Sequence, residues 1–162
     1  MVTLNPNIKN ILGQTPFYYA AGIGNEPFVK KLLDIADPNC QDNDGRTPLH
    51  LMALVEKPRH MQRITMLMNL LLTHPKININ IQDRWLKTPA HIAALLHNAT
   101  TLTILKEHGA DFFTLQDCCD QSAIQYVAVD QRNIIFGDDY VQLSEENDTQ
   151  LNRLKNLKRK NN

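Results

Sequence analysis

The sequence lacks most of the features that mark extracellular, membrane or nucleic-acid-binding proteins. It has three cysteines in 162 residues, too few and too irregularly placed for a disulfide framework. No apolar run reaches the roughly 18 residues that a membrane-spanning helix needs. The 17 basic and 17 acidic residues cancel, which argues against nucleic acid as a partner. The first residues also lack the pattern of a signal peptide, so we expect a cytoplasmic protein without membrane insertion.

Residue patterns for catalysis or metal binding are equally scarce. The 6 histidines are spread along the chain without metal-ligand spacing. Cys118 and Cys119 are adjacent instead of forming a C-x-x-C pair, which favours an ordinary turn over a reactive thiol. We therefore expect no enzyme activity, no metal and no cofactor. The alternative is an unrecognised catalytic site in the divergent segment 130–150.

Two short markers recur in register along the chain and indicate an internal repeat. The first is a Thr-Pro pair, degenerate in its last copy, that precedes a short helical run. Its copies begin at Thr15, Thr47, Thr88 and Ser122. The second marker is a polar segment that ends five residues before the first. Its copies end at Asn10, Asp42, Asp83 and Asp117.

Each copy has the residues that a turn followed by a helix requires. The Asp or Asn can bind backbone amides, and Gly13 and Gly45 supply the conformational freedom of a tight turn. Thr or Ser is then placed as the N-cap, with Pro at the first helical position, where no amide donor is needed. A second, leucine-containing helix follows in each unit. Neither helix buries its apolar face alone, so we expect the units to stack into a solenoid.

These residues resemble the ankyrin repeat. The segments 45–53 (GRTPLHLMA) and 108–111 (HGAD) are close to the family pattern, and the resemblance covers about residues 5–130. It implies an all-α solenoid of stacked helix-turn-helix units with β-turn fingers, in a single domain over 1–162. We place the repeats at about 5–37, 38–78, 79–112 and 113–140, the last as a degenerate cap.

The resemblance also assigns roles to particular positions and shows where this chain departs from the family. His50 and His91 occupy the position where imidazole usually links the turn by hydrogen bonds. Tyr18 and Gln125 stand where the family has His, and Leu86 and Asp120 stand where it has Gly.

Two segments depart from the regular spacing. The second unit is about seven residues longer than its neighbours, and the extra length fits a surface loop at 56–62. The alternative is a second helix lengthened through 61–73. After Asp130 the pattern fades, and an acidic start at 144–146 followed by three spaced leucines predicts a closing helix, with a basic tail, over about 144–162. We interpret the basic tail as a solvated surface, the alternative being a targeting patch.

The resemblance implies a partner-binding surface along the turn tips and the ends of the first helices. By register, an apolar row follows the ends of the first helices. It comprises Ile23, Leu54, Val55, Leu95, Leu96 and Val129. The turn tips add the only tryptophan and three cations. They are Trp85, Arg46, Arg84 and Lys87. The alternatives are that Trp85 folds back onto the neighbouring turn, and that the long second unit or the C-terminal segment covers the row.

The function that follows is protein recognition by a monomer. The alternative is a targeting domain or a fragment of a larger protein whose activity lies elsewhere. The chain is rich in Asn, Ile and Lys, as expected from an AT-rich genome, and small ankyrin proteins of intracellular bacteria are often translocated into a host cell. An acidic cluster near the C-terminus is similar to the export signals of such effectors. Two hypotheses follow: a translocated protein that binds a host protein, or an adaptor in its own cell.

Overall fold

The computed structural model describes residues 5–55 and 58–137, with only the backbone described over 58–61. The closing helix and basic tail predicted for 144–162 lie outside the described residues. Within these ranges the chain forms eight helices and no strand. They are α1 (Pro16–Gly22), α2 (Glu26–Leu32), α3 (Pro48–Ala53), α4 (Pro58–Leu72), α5 (Pro89–Leu95), α6 (Ala99–Glu107), α7 (Ala123–Tyr126) and α8 (Val129–Phe136). None of these helices combines the length and apolar character needed to cross a bilayer.

The first helix of each of the three leading units begins where the Thr-Pro marker predicts. The hydroxyl of Thr15 accepts a hydrogen bond from the Tyr18 amide at 3.1 Å. Thr47 and Thr88 cap α3 and α5 in the same way. Proline stands at the start of each helix, where its missing N–H leaves no intrahelical bond unmade. The predicted N-caps are therefore confirmed.

The extra residues of the second unit are helical. Helix α4 has 15 residues, whereas α2 has 7 and α6 has 9. Its buried side chains recur every three or four positions, which places them on one face of the helix. They are Ile64, Leu67, Met68, Leu71 and Leu72. The prediction of a loop at 56–62 is wrong from Pro58 onward, and the lengthened helix is the correct alternative.

The helices form two parallel rows that enclose a continuous core. The first helices contact one another in the order α1, α3, α5, α7, and the second helices in the order α2, α4, α6, α8. Within the three leading units, the first helix also packs against the second. Leu67, Leu71, Leu102 and Leu105 are fully buried between the rows. Each unit therefore completes its neighbour's core, which is the organisation of a solenoid.

A carboxylate or amide oxygen organises each turn between units. Its Oδ1 atom accepts two backbone N–H groups, two and four residues further along the chain. In the second turn, for example, Asp42 Oδ1 binds the amides of Asp44 and Arg46, both at 2.9 Å. The other turns use Asn10, Asp83 and Asp117. The polar segment of the sequence is therefore a turn element in all four units.

Backbone hydrogen bonds tie each turn tip to the next. A carbonyl of one tip accepts an amide N–H of the following tip in three successive places. These bonds join Leu12 to Asn43 at 3.0 Å, Asp44 to Arg84 at 2.9 Å, and Trp85 to Cys118 at 3.0 Å. The tips are thus held in register by the main chain, and side-chain identity there is free to vary.

The fourth unit is shortened, and this changes the helix in which Val129 lies. Helix α7 has 4 residues and ends at Tyr126, so the second helix, α8, already begins at Val129. Val129 was predicted at the end of a first helix. This is wrong, because Val129 is the first residue of the second helix of its unit. Helix α8 ends with Phe136, whose ring packs edge-to-face on Phe112 with the ring centroids 5.0 Å apart. The apolar segment after Asp130 therefore completes the core of the last unit.

Candidate functional site

A groove of about 320 Å³ opens between the second and third repeats. Its apolar side is built by the end of α3 and by one face of α5, with Leu54, Ile92, Leu95 and Leu96. Its polar edge is formed by the two adjacent turns. This edge comprises Arg46, Asp83, Trp85 and Lys87. The groove therefore combines an apolar wall with an aromatic ring and charged groups, the usual composition of a recognition site.

Six of the ten residues predicted as a binding surface line this groove, and four do not. Ile23 follows α1 and is 54% exposed, one repeat away. Val55 packs partly against the core, and its carbonyl accepts a hydrogen bond from Asn98. Arg84 does not line the groove but packs over the Trp85 ring. Val129 is exposed on α8. The structure therefore brings six of the predicted residues together in one groove and places the other four outside it.

Sequence reasoning missed two groove residues, Asp83 and Ile92. Asp83 was recognised only as a turn residue, yet its side chain also borders the groove. Ile92 lies one helical turn before Leu95 and Leu96 in α5. The three- and four-residue spacing of a helix would have placed Ile92 on the same face.

Trp85 is held between two arginines and is also partly open to solvent. The guanidinium carbons of Arg46 and Arg84 lie 5.0 and 5.2 Å from its ring centroid, within the range of cation–π attraction. Arg84 is itself anchored by Asp44, with Nη1 and Oδ1 2.7 Å apart. Trp85 as a whole remains 38% exposed. Trp85 thus contacts the neighbouring turn, as the alternative expected, and still presents surface to the groove.

Lys87 is fixed by a buried carboxylate in the next turn. Its ammonium forms an ion pair with Asp117, whose Oδ2 also accepts the Tyr126 hydroxyl at 2.7 Å. Burial alone would raise the pKa of Asp117, but hydrogen bonds from Lys87, Tyr126 and the turn amides hold it well below its usual range. Burial and the Asp117 carboxylate raise the pKa of Tyr126 to about 12. Lys87 is therefore a charged, positioned group at the groove edge.

The predicted structural role of His50 and His91 is confirmed. Nδ1 of His50 accepts the Thr47 amide at 3.0 Å, so its Nε2 carries the proton and donates to the Lys87 carbonyl at 2.9 Å. His91 repeats the arrangement with Thr88 and the Gln121 carbonyl. Burial lowers the pKa of both imidazoles. These neutral rings link consecutive turns, and their two nitrogens are both used.

The residues that replace histidine in the outer units meet the same need by other means. Gln125 accepts the Ser122 amide through Oε1 at 2.7 Å, which reproduces the Nδ1 contact. Tyr18 instead sends its hydroxyl to the Asp42 carboxylate of the next turn, which reproduces the link made by Nε2. Burial and this carboxylate raise the pKa of Tyr18 well above its usual range. The end repeats therefore keep half of the hydrogen-bond pattern each.

Among the residues that the structure describes, no group of three or more His, Cys, Asp or Glu side chains is arranged to hold a metal ion. Burial and hydrogen bonds within and between the turns account for the shifted pKa values of the two buried histidines, Lys87, Asp117 and Tyr126. The groove itself offers an aromatic ring, oriented cations and an apolar wall.

Comparison with known proteins agrees with this architecture. Residues 2–61 match the family described as ankyrin repeats (3 copies), and residues 44–84 match the single ankyrin repeat. Human Rabankyrin-5 is 38% identical over 101 residues, which are 60% of this chain and 8% of that protein. The Neurogenic locus Notch protein of Drosophila melanogaster is 36% identical over 85 residues, 52% of this chain and 3% of that protein.

A third relative is a kinase. Serine/threonine-protein kinase 12 of Arabidopsis thaliana is 33% identical over 103 residues, 63% of this chain and 21% of that protein. The chain thus spans less than a quarter of the length of each of these relatives. Ankyrin repeats generally serve as non-enzymatic modules of protein–protein interaction. With the repeat motifs, the two rows of helices and these matches in agreement, the chain belongs to the ankyrin repeat family.

Proposed function

We propose that the chain is a monomeric, non-enzymatic recognition module that binds a partner protein in the groove between its second and third repeats. The observation that carries the proposal is the convergence of Trp85, Leu54, Leu95 and Leu96 on one groove beside positioned cations. Tryptophan and arginine are enriched among the residues that dominate binding energy at protein interfaces. Because the surrounding turns are tied by backbone hydrogen bonds, little backbone freedom would be lost on binding.

The charges at the groove edge favour an acidic residue in the partner. Arg84 is paired with Asp44, and Lys87 with Asp117. Arg46 has no carboxylate within ion-pair distance among the described residues, and its guanidinium carbon lies 5.0 Å from the centroid of the Trp85 ring. A carboxylate from the partner would find this planar donor already oriented. An apolar side chain next to that carboxylate would fill the space between Leu54 and Leu95.

Affinity capture with matched variants tests this function. The full chain carrying Trp85→Ala and Leu95→Asp is compared with the wild type and with Ile134→Asp, which changes an 82% exposed residue on α8, outside the groove. We expect a bound protein to be retained by the wild type and by Ile134→Asp and lost from the double variant. Circular dichroism checks that all three fold. Equal retention by all three would refute binding in the groove.

A second candidate is a recognition segment of a longer protein, the activity of which lies elsewhere. It is favoured by the small share of each relative that the chain spans, 8% of human Rabankyrin-5 and 21% of the plant kinase. Immunoblotting the native protein and comparing its mass with 18.5 kDa tests it. A mass near that value would refute it, whereas a much larger mass would support it.

The cellular source of the partner is proposed from composition. Richness in Asn, Ile and Lys, together with the acidic cluster of Glu145, Glu146 and Asp148, supports translocation into a host cell and binding of a host protein. An adaptor in the cytoplasm of its own cell is the alternative. A reporter fused ahead of the chain, with and without residues 144–162, tests export. Equal delivery of the two fusions, or delivery of neither, would refute a C-terminal export signal.

A further inference from the structure

Two thiols meet at the tip of the fourth turn. Cys118 and Cys119 are both exposed, and their Sγ atoms lie 3.9 Å apart. Neighbouring side chains of an extended segment point to opposite sides, so it is the turn that brings these two sulfurs together. The third cysteine, Cys40, is buried, with its Sγ 3.2 Å from the Thr15 hydroxyl. The chain therefore has one accessible dithiol and one protected thiol.

We propose that Cys118 and Cys119 form a dithiol modification site, which small-molecule disulfides of the glutathione class convert to an intramolecular disulfide. Three observations carry the proposal: the solvent access of both sulfurs, their separation, and their position on a turn bonded to the groove. This modification requires no catalytic activity of the chain and does not depend on which partner binds the groove.

The reaction is a two-step thiol–disulfide exchange. The Cys118 thiolate attacks one sulfur of the small disulfide, forming a mixed disulfide and releasing the first small thiolate. The Cys119 thiolate then attacks Cys118 Sγ, which breaks the mixed disulfide and releases the second small thiolate. The dithiol has been oxidised by two electrons, and its two protons are taken up by the small thiolates or by solvent. The attacking species in both steps is a thiolate, so the exchange accelerates as the pH rises.

The product would be easily reduced again. A disulfide needs its sulfurs about 2.05 Å apart and its Cα atoms about 4.4–6.8 Å apart. Adjacent Cα atoms are separated by only about 3.8 Å, so closing the bond strains the peptide between the two residues. Exposed, strained disulfides are the labile ones that respond to the thiol balance of their surroundings. The geometry therefore makes the site reversible.

Closing this ring would act on the groove through two hydrogen bonds. The Cys118 amide donates to the Trp85 carbonyl at 3.0 Å, and the Cys119 amide donates to Asp117 Oδ1 at 2.8 Å. Asp117 in turn holds Lys87. The Cys119 amide belongs to the Cys118–Cys119 peptide, so twisting that peptide moves the N–H that donates to Asp117. Because Trp85 is the only tryptophan in the chain, its fluorescence reports the change without a label.

The test treats the full, reduced chain with glutathione disulfide and measures mass, free thiols and Trp85 fluorescence. We expect the wild type to lose two hydrogen atoms in mass, with no thiol accessible in the folded chain and one, that of the buried Cys40, becoming accessible on unfolding. The Trp85 emission should shift, and dithiothreitol should restore it. Cys118→Ser and Cys119→Ser are matched controls, which should each keep one glutathione as a stable mixed disulfide.

Other products overturn the proposal. A wild type that keeps glutathione on one or both cysteines lacks the second exchange step. A disulfide-linked dimer on a non-reducing gel shows that the two sulfurs react between chains. Failure to react at all, under conditions that modify the single-cysteine variants, shows that the pair is protected. An internal disulfide without a fluorescence change would refute the coupling to Trp85 and leave the modification site standing.

Discussion

Leu86 adopts the left-handed backbone conformation that Gly45 adopts at the equivalent position of the preceding turn. Their φ angles are +59° and +78°. A residue with a Cβ atom is less stable in this region than glycine by about 1–2 kcal/mol. The third turn therefore stores strain that the second does not, although both are organised by an aspartate in the same way.

Replacing Leu86 with glycine should stabilise the protein. The Leu86 side chain is 49% exposed, so its removal costs little packing, while relief of the strained φ is partly offset by a more flexible unfolded chain. We expect the free energy of unfolding to rise by up to about 1 kcal/mol, measured by urea denaturation.

The converse substitution Gly45→Ala is the matched control. It should destabilise the chain, since a Cβ atom there would lie 3.1 Å from the Arg84 amide nitrogen. If Leu86→Gly instead lowers stability, the side chain contributes packing that outweighs the strain.

The Lys87–Asp117 ion pair should contribute far more to stability than the exposed Arg84–Asp44 pair. Lys87→Met keeps the aliphatic stem but leaves the fully buried Asp117 side chain without its cation. We expect a loss of about 2–3 kcal/mol in the free energy of unfolding. Asp44→Ala, which breaks the exposed pair, should cost under about 1 kcal/mol. Equal losses in the two variants would contradict this difference.

The two buried histidines should make the protein less stable in mild acid. Burial lowers the pKa of His50 and His91 in the folded chain, whereas in the unfolded chain each has a pKa of about 6.5. Below that pH the unfolded state binds protons that the folded state does not, so the free energy of unfolding falls as the pH drops. Above it, both states are neutral and the contribution is complete.

Thermal unfolding between pH 7 and pH 5 measures this effect. His91→Gln serves as the control, because Gln125 already accepts the corresponding amide in the fourth unit. The variant should lose stability at pH 7 but show a shallower decline toward pH 5. A decline as steep as that of the wild type would assign the acid sensitivity to other groups.

Core leucines and groove leucines should respond differently to truncation. Leu71 and Leu105 are fully buried between the helix rows, so Leu71→Ala or Leu105→Ala should each cost about 2–5 kcal/mol. Leu95 is 40% exposed at the groove, and Leu95→Ala should cost under about 1 kcal/mol. Chemical denaturation of the three variants checks the order. A large loss at Leu95 would assign it to the core.

The regular repeats could be predicted from the sequence because their local chemistry acts within each unit. A threonine before a proline, with an aspartate five residues earlier, favours the same turn and helix start wherever it occurs. The N-caps at Thr15, Thr47 and Thr88 follow from this pattern alone. The imidazole bridges of His50 and His91 were predicted from the resemblance to the family.

Prediction was weakest where the units differ in length. The fourth unit has Ser122-Ala123 where the other units have a Thr-Pro pair, and its first helix stops at Tyr126. A register carried over from the longer units therefore displaced Val129 into the wrong helix. In the second unit, the sequence was compatible with either a loop at 56–62 or a second helix lengthened through 61–73, and the packing of α4 against α2 and α6 favours the lengthened helix.

The repeat, its turns and the residues that project from them follow from the amino-acid sequence, because they depend on contacts within a few residues. Which of the projecting residues share a site depends on the packing of the repeats. Leu54 and Leu95 belong to different repeats, and their proximity depends on how the helices stack. The pairing of Trp85 with Arg46, and of Lys87 with Asp117, was decided at the same level. These contacts cross between units, where sequence spacing carries no distance information.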